Sequence, residues 1–200
     1  MSVLITEKIP VQNFEIVKNN LEVILFKELD NQVKKQCTDL DIQVFTERQE
    51  PYDKGEDVVV NVSLNNIPYS GIDEKNTTGN LSFNIDIYAR GFTTLDNDGN
   101  KFSRSKLELV TGWIRYILSS TKYSTLGFQK GIIGGTYVDS IQFDDNYGNQ
   151  DGAYVRMARL QFSVRVIENQ SMFDGIELLG NDTIIRLCDG SKGYKLTFNN

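Results

Sequence analysis

The sequence predicts an α+β fold: one mostly antiparallel sheet with two amphipathic helices packed on one face, plus a C-terminal extension. Three observations carry that expectation. An apolar stripe at three-and-four spacing runs through residues 13–36, and strict apolar–polar alternation follows from Asn80 to Arg90. A second helical stripe then separates that strand from two further alternating segments, giving an order of helix, strands, helix, strands and tail.

In the first helix, Phe14, Val17, Leu21, Ile24, Leu25, Leu29 and Val33 share one face. Pro10 precedes it, Asn13 is the expected N-cap, and Lys34 and Lys35 suit the negative end of the helix dipole. A short strand is expected over Ile42–Phe45, and a longer one over Asp57–Leu64. There Val58, Val60, Val62 and Leu64 face away from Asn61 and Ser63. From Asn80 to Arg90, Leu81, Phe83, Ile85, Ile87 and Ala89 point one way. Asn80, Ser82, Asn84, Asp86, Tyr88 and Arg90 point the other, the pattern of a sheet dry on one side. The intervening Asn65–Gly79 contains Pro68, Gly71 and Gly79 and is too long for a tight turn, so an extended loop is expected.

The second helix is expected over about Ser103–Thr121, burying Leu107, Val110, Trp113, Ile114, Ile117 and Leu118. Ser105 with Glu108 fits a capping box. Gly112 costs about 1 kcal/mol relative to alanine inside a helix, an expense explained if it lets the helix approach the sheet. Beyond it, Tyr137, Asp139, Ile141 and Phe143 alternate with Val138, Ser140 and Gln142, and a turn is expected over Asp144–Gly152. Ala158, Leu160, Phe162, Val164 and Val166 then alternate with Arg159, Gln161, Ser163 and Arg165, completing a long hairpin. After Asn169 the regularity weakens. Residues 1–168 read as one α+β domain, and 169–200 as an extension or arm with short strands near Ile176–Leu179, Thr183–Leu187 and Tyr194–Phe198.

The 200 residues carry 21 Lys and Arg against 27 Asp and Glu, a net charge of −6, with no histidine. The missing imidazole excludes Ser-His-Asp and Cys-His nucleophiles and every histidine-dependent metal site. No catalytic residues and no metal or cofactor site are therefore expected, and the chain is read as not an enzyme. The segment MSVLITEKIPVQ shows no basic region followed by a long apolar core, so no signal peptide is expected, and no apolar run reaches the roughly 20 residues of a membrane span. Cys37 and Cys188 are too few for a disulfide framework and are expected as free thiols in the cytoplasm. Five N-x-[ST] triplets, Asn76 and Asn181 among them, then serve only as polar turn chemistry.

Other motifs fail on spacing. Asp96-Asn97-Asp98-Gly99-Asn100 would need glycine at position 6 and glutamate at position 12 to hold calcium, but has Lys101 and Leu107 there. Asp144, Asp145 and Asp151 fit a hairpin tip better than a metal site. Gly131-Ile-Ile-Gly-Gly opens a strand and lacks the lysine of a phosphate-binding loop. Glu47, Glu50, Asp53, Glu56 and Asp57 surround Pro51 and Gly55, a solvated loop. Arg159 and Arg165 share a strand face on which they serve either as ordinary surface charge or as a subunit contact, where arginine forks onto carboxylates.

The order helix, strands, helix, long hairpin resembles the tail terminator proteins of long-tailed bacteriophages over about residues 10–168. The likeness is carried by the N-terminal amphipathic helix, Leu81-Ser-Phe-Asn-Ile-Asp-Ile-Tyr-Ala-Arg-Gly, the helix around Leu107–Leu118 and Tyr137-Val-Asp-Ser-Ile. It ends in Asp151-Gly-Ala-Tyr-Val-Arg-Met-Ala-Arg-Leu-Gln-Phe-Ser-Val-Arg-Val. The resemblance implies a hexameric ring at the tail–neck junction of the virion, assembled in the host cytoplasm. Such a ring caps the tail tube protein, ends its polymerisation and joins the head–tail connector, while DNA passes through without specific binding. The alternatives are another neck or head-completion adaptor, and a carboxylate-based hydrolase or small-ligand binding module. The long 65–79 segment and residues 169–200 exceed what a minimal terminator needs.

Head-to-tail ring contacts are expected from three places. The 65–79 segment offers Tyr69, Asp73, Glu74 and Lys75, and the turn before the second helix offers Asp98 and Lys101. The polar strand faces offer Asp86, Arg90, Arg156, Arg159 and Arg165. Reversing Arg159 and Arg165 together is expected to weaken assembly and leave the subunit folded.

Overall fold

The computed structural model describes the backbone of residues 11–49, 55–71, 76–94, 98–150, 153–169, 181–184 and 195–198, and side chains within 11–49, 55–71, 77–94, 98–144 and 153–168. The chain divides into two compact units, Met1–Glu168 and Asn169–Asn200. The second unit contains β7 (Asn181–Ile184) paired antiparallel with β8 (Lys195–Phe198). The expected strand at Ile176–Leu179 and the thiol Cys188 lie outside the described residues.

In the first unit, α1 (Asn13–Lys35) buries Val17, Leu21, Leu25 and Leu29, one residue per turn of its apolar stripe. Its cap is Gln12 rather than Asn13: the Gln12 carbonyl accepts from the amides of Glu15 and Ile16, and Asn13 is already helical. At the other end Thr38 N–H donates to Val33 O and Cys37 N–H to Lys34 O, which satisfies two orphan carbonyls. This closure puts Cys37 at φ 50°, the left-handed position where glycine usually stands.

Strand β1 (Ile42–Thr46) pairs parallel with β2 (Val58–Asn66), so residues 47–57 must cross over rather than turn. β2 pairs antiparallel with β4 (Asn76–Phe92), the longest partner in the middle of the sheet. Beyond α2 (Gly99–Leu118) come β5 (Ile133–Gln150) and β6 (Ala153–Asn169), and the strand order is β1-β2-β4-β6-β5. Both helices cover the face on which Val58, Val60, Val62, Leu81, Phe83, Ile85, Ile87, Ala89, Leu160, Phe162 and Val164 converge in one core. The architecture is a six-stranded mixed sheet with two helices, the α+β class that the alternation and stripes predict.

Several local expectations change. Residues 65–79 are not an open loop: β3 (Tyr69–Gly71) pairs antiparallel with Thr77–Gly79 at the start of β4, a short added ribbon. The helix α2 begins at Gly99, not Ser103, because the Asp98 carboxylate accepts from Asn100 N–H and caps it there. Ser105 is therefore inside the helix, where its hydroxyl donates back to Lys101 O, and no capping box forms with Glu108. The close approach expected at Gly112 occurs instead at Gly91, where a Cβ would meet Gly99 O and Ser103 N of α2 at 2.1 and 2.7 Å. Gly112 itself is exposed, and a Cβ added there would meet nothing within 4 Å.

The turn expected over Asp144–Gly152 is shorter too. Strand pairing continues through Gln150↔Ala153, with an irregularity between Asp144 and Gly148. A bulge between Val138 and Ser140 also resets the alternation of β5. Val138 lies opposite Phe162 and Ile141 opposite Leu160, so both pack on the helix-covered core, while Ser140 lies opposite Gln161 on the polar side.

A polar clamp joins α1 to the chain after α2. Glu28 accepts from Lys122 Nζ at 2.6 Å and from the Tyr123 hydroxyl. These bonds hold its carboxyl at about 2, well below the usual range, and Lys122 is raised in turn. Nearby, Asn20 Nδ2 donates to Leu126 O at 2.9 Å, adding a second tie between the same segments.

Two outcomes follow from these contacts. Gly112→Ala should stabilise the fold by about 0.5–1 kcal/mol, read as a raised urea midpoint at unchanged slope, because an exposed helical glycine costs entropy and gains no packing here. Glu28→Gln should lower the midpoint at pH 7. Because the folded-state value lies below the ordinary 4.5, the clamp is complete above pH 4.5 and lost as pH falls through about 2. The gap between variant and parent in urea melts should therefore narrow steadily from pH 5 to pH 2; a constant gap would contradict the clamp.

Candidate assembly surface

The sheet face turned away from the helices is polar in sequence, yet its centre is closed within the subunit. Asn61, Asp86, Tyr88, Arg90 and Ser163 are all buried. Arg48, just after β1, supplies part of the cover. Arg48 N–H donates to Asn61 Oδ1 at 3.0 Å, Asn61 Nδ2 donates to Arg48 O at 3.1 Å, and Arg48 is ion-paired to Glu56 at 2.6 Å. Across the strands, Arg159 forks onto Asp86 with Nε to Oδ1 at 2.7 Å and Nη2 to Oδ2 at 2.9 Å. This bond raises the Arg159 guanidinium above its ordinary value. Ser163 donates to Asp139 Oδ2 at 2.5 Å, and Ser140 donates to Gln161 Oε1 at 2.9 Å.

This network redistributes the expected contact residues. Asp86 is 6% exposed and committed to Arg159, and Arg90 is buried with its guanidinium 4.3 Å from the Phe92 ring centre. Neither offers a surface to a neighbour. Arg156 is half-buried and directs Nε and Nη2 at Asn100 Oδ1, at 2.8 and 2.5 Å, holding the first turn of α2 to β6. Asp98 is the cap of that helix. Of the expected set, Tyr69, Lys101 and Arg165 are exposed, and the stem of Arg165 lies against Gly134. Burial, then the charge of Glu168, raises the Tyr69 phenol. Asp73, Glu74 and Lys75 lie outside the described residues.

The exposed apolar groups fall elsewhere. Tyr137, Phe143, Tyr154 and Ile167 project from the β5–β6 hairpin, whose strand β5 ends the sheet order. Beside β5, a groove of about 430 Å³ is lined by Thr136–Ile141 together with Arg115 and Ser119 of α2. Phe102, Leu109 and Tyr116 stand on the outer side of α2, and Val23 and Phe26 on the outer side of α1. The sequence held the signal for the α2 group in its seven-residue spacing, which the inward stripe of the same helix obscured.

Among the described residues no group of three or more His, Cys, Asp and Glu is placed to hold a metal ion. Among them, too, no helix is long and apolar enough to cross a membrane. Compared with protein-family models and with curated protein sequences, the chain matches none.

The Asp86–Arg159 fork changes what a charge reversal reports. Arg159→Glu should cost about 1–3 kcal/mol, because it leaves Asp86 unpaired beside a new carboxylate; the exposure of the Arg159 stem keeps the loss below that of a fully buried pair. Arg165→Glu should stay within about 0.5 kcal/mol of the parent. Urea melts of the two single variants separate these effects, and equal losses would contradict the placement of Arg159.

Proposed function

We propose that this chain is a structural subunit of a long-tailed bacteriophage virion, a tail terminator that assembles as a ring. The ring caps the tail tube, ends its growth and presents a face to the head–tail connector at the tail–neck junction. The reading rests on resemblance in element order, with a mixed sheet covered by two helices on one face and a long β5–β6 hairpin. One observation supports it most directly: the edge strand β5 exposes Tyr137 and Phe143, and β6 beside it exposes Tyr154 and Ile167, where a neighbouring subunit can cover them. A head-to-tail contact there differs from any self-complementary one and closes only if the rotation between subunits closes.

Several cations of the described residues are neutralised in a way that fits a channel passing DNA without gripping it. Lys34, Arg48, Arg104, Lys106, Lys122 and Arg159 are each paired to a carboxylate. A net charge of −6 over the whole chain likewise disfavours a strong grip on phosphates.

Electron microscopy of the purified chain is the test. Six-fold rings with an open centre are expected, and Phe143→Asp with Tyr137→Asp should abolish them while the circular dichroism of the subunit is kept. Rings that survive this pair of changes would remove the hairpin from the contact. A compact closed assembly with no channel, or no ring even with tube ends supplied, would overturn the terminator reading in favour of another neck adaptor.

A further inference from the structure

The outer face of α2 has a second pattern independent of the ring. Phe102, Leu109 and Tyr116 are 47%, 38% and 79% exposed and stand seven residues apart, two turns of helix each. At the alternate three-and-four positions, Ser105 and Gly112 between them and the cap residue Ser119 after Tyr116 are all exposed and all small. Large and small residues thus occupy the two seam positions of a heptad on a helix whose opposite side is already in the core. Lys106 Nζ sits 4.3 Å from the centre of the Phe102 ring and covers one side of it; Leu109 and Tyr116 have no such cover among the described contacts.

We propose that this face docks on the same face of a second copy of the chain, as an antiparallel helix pair about a two-fold axis. Setting Leu109 opposite the second copy's Gly112 makes the rest follow from the repeat. Phe102 then lies opposite the second copy's Ser119, and Tyr116 opposite the second copy's Ser105, so each large side chain meets a small one. The two-fold axis repeats every contact. Large-into-small seating lets the backbones approach closely, and an exposed glycine without an intramolecular role at Gly112 is explained as the hole that receives Leu109.

Charge selects the same partner and the same direction. Glu108 and Arg115 flank the stripe seven residues apart, about 10 Å along the axis, too far to pair within one chain. In the antiparallel pair each Glu108 stands beside the second copy's Arg115, giving two opposite-charge contacts at the rim. Within its own chain Glu108 is bonded to Arg104 at 2.8 Å, with both side chains half exposed, so it can be shared without being desolvated. A parallel pair would instead set Glu108 and Arg115 against the opposite flank of the second copy, which carries Lys106 and Trp113, and this Glu–Arg complement would be lost. One helix pair is a small contact, so association should be on the order of micromolar or weaker.

Sedimentation equilibrium of the full chain over a wide concentration range tests this, with mass photometry to count subunits. A reversible two-fold association is expected, seen as dimers of single subunits or as pairs of rings. Gly112→Leu should weaken it by about tenfold or more by filling the hole. Since leucine is a better helix former than glycine, the same variant should not lower the urea midpoint, which separates lost docking from lost folding. Glu108→Arg and Arg115→Glu should each weaken association severalfold, and the double variant should restore it, because the rescue exists only between copies. Two-fold association untouched by Gly112→Leu, single reversals that the double variant does not rescue, or a chain showing no two-fold association at high concentration would each overturn the proposal. Rings without the two-fold pairing would leave the terminator reading standing and remove this one; Gly112-dependent dimers without rings would do the reverse.

Discussion

The alternation of β4 is the constraint on which the first unit depends. Every second side chain from Leu81 to Ala89 enters the core shared by both helices, while the backbone of the same strand bonds to β2, β3 and β6. A slip of one residue would turn Phe83, Ile85 and Ile87 to the polar side and bring Asn84 and Asp86 under the helices. Such a slip would bury a carboxylate without its arginine, a loss far larger than any single hydrogen bond in the sheet. The hydrophobic face and the Asp86–Arg159 fork therefore specify one register from opposite sides of the strand.

The parallel pairing of β1 with β2 has a consequence for that polar side. Arg48, just after β1, bonds to the face that the sequence marks as wet, through two reciprocal bonds with Asn61. Asn61 and Asp86, which alternation assigns to solvent, are buried in partnership, so their desolvation is compensated. Asn61 suits this because one side-chain amide both accepts and donates and so satisfies both backbone groups of Arg48. The polar face of the sheet is in consequence not the open docking surface that its composition implies, and the exposed apolar groups have moved to the hairpin and to the outer helix sides.

The legible parts of this fold are those governed by a single period. The stripes of α1 and α2 and the alternation of β4 and β6 repeat without interruption, and the burial of Leu21, Leu25, Phe83, Ile85, Leu160 and Phe162 follows from them. What was not legible breaks or overlays a period. The bulge after Val138 inserts one residue and inverts the apparent faces of β5. Asp98 outcompetes Ser105 as cap because the strand before it ends with Gly91 packed on Gly99, a contact no local pattern encodes. The ribbon of β3 with β4 joins residues across a segment rich in turn formers. Of the candidate site, Tyr69, Lys101 and Arg165 were found at the surface. Asp86 and Arg90 were not, and the half-exposed Arg159 is committed to Asp86, because a cross-strand ion pair is a long-range event. The outer heptad of α2 was present in the letters but shared its helix with a stronger inward stripe.

Two exposed apolar surfaces on one small subunit raise the question of why such a chain would not grow into open aggregates. A heterologous contact through the hairpin is self-limiting only when its rotation closes a ring, and an α2 contact about a two-fold axis is self-limiting by itself, since pairing consumes both copies of the patch. If both operate, the two-fold axes join one ring to one other ring, and the product is a closed double ring with no unpaired face of either kind. Loss of closure in the hairpin contact would be different: the two-fold pairing would then cross-link open strings of subunits into sheets or gels. A surface of this kind is safe only on a subunit whose other contact is geometrically exact in its rotation. The rigidity needed for that rotation is supplied by the core of β4 and the Asp86–Arg159 fork, which fix β6, and through its register β5, to the middle of the sheet.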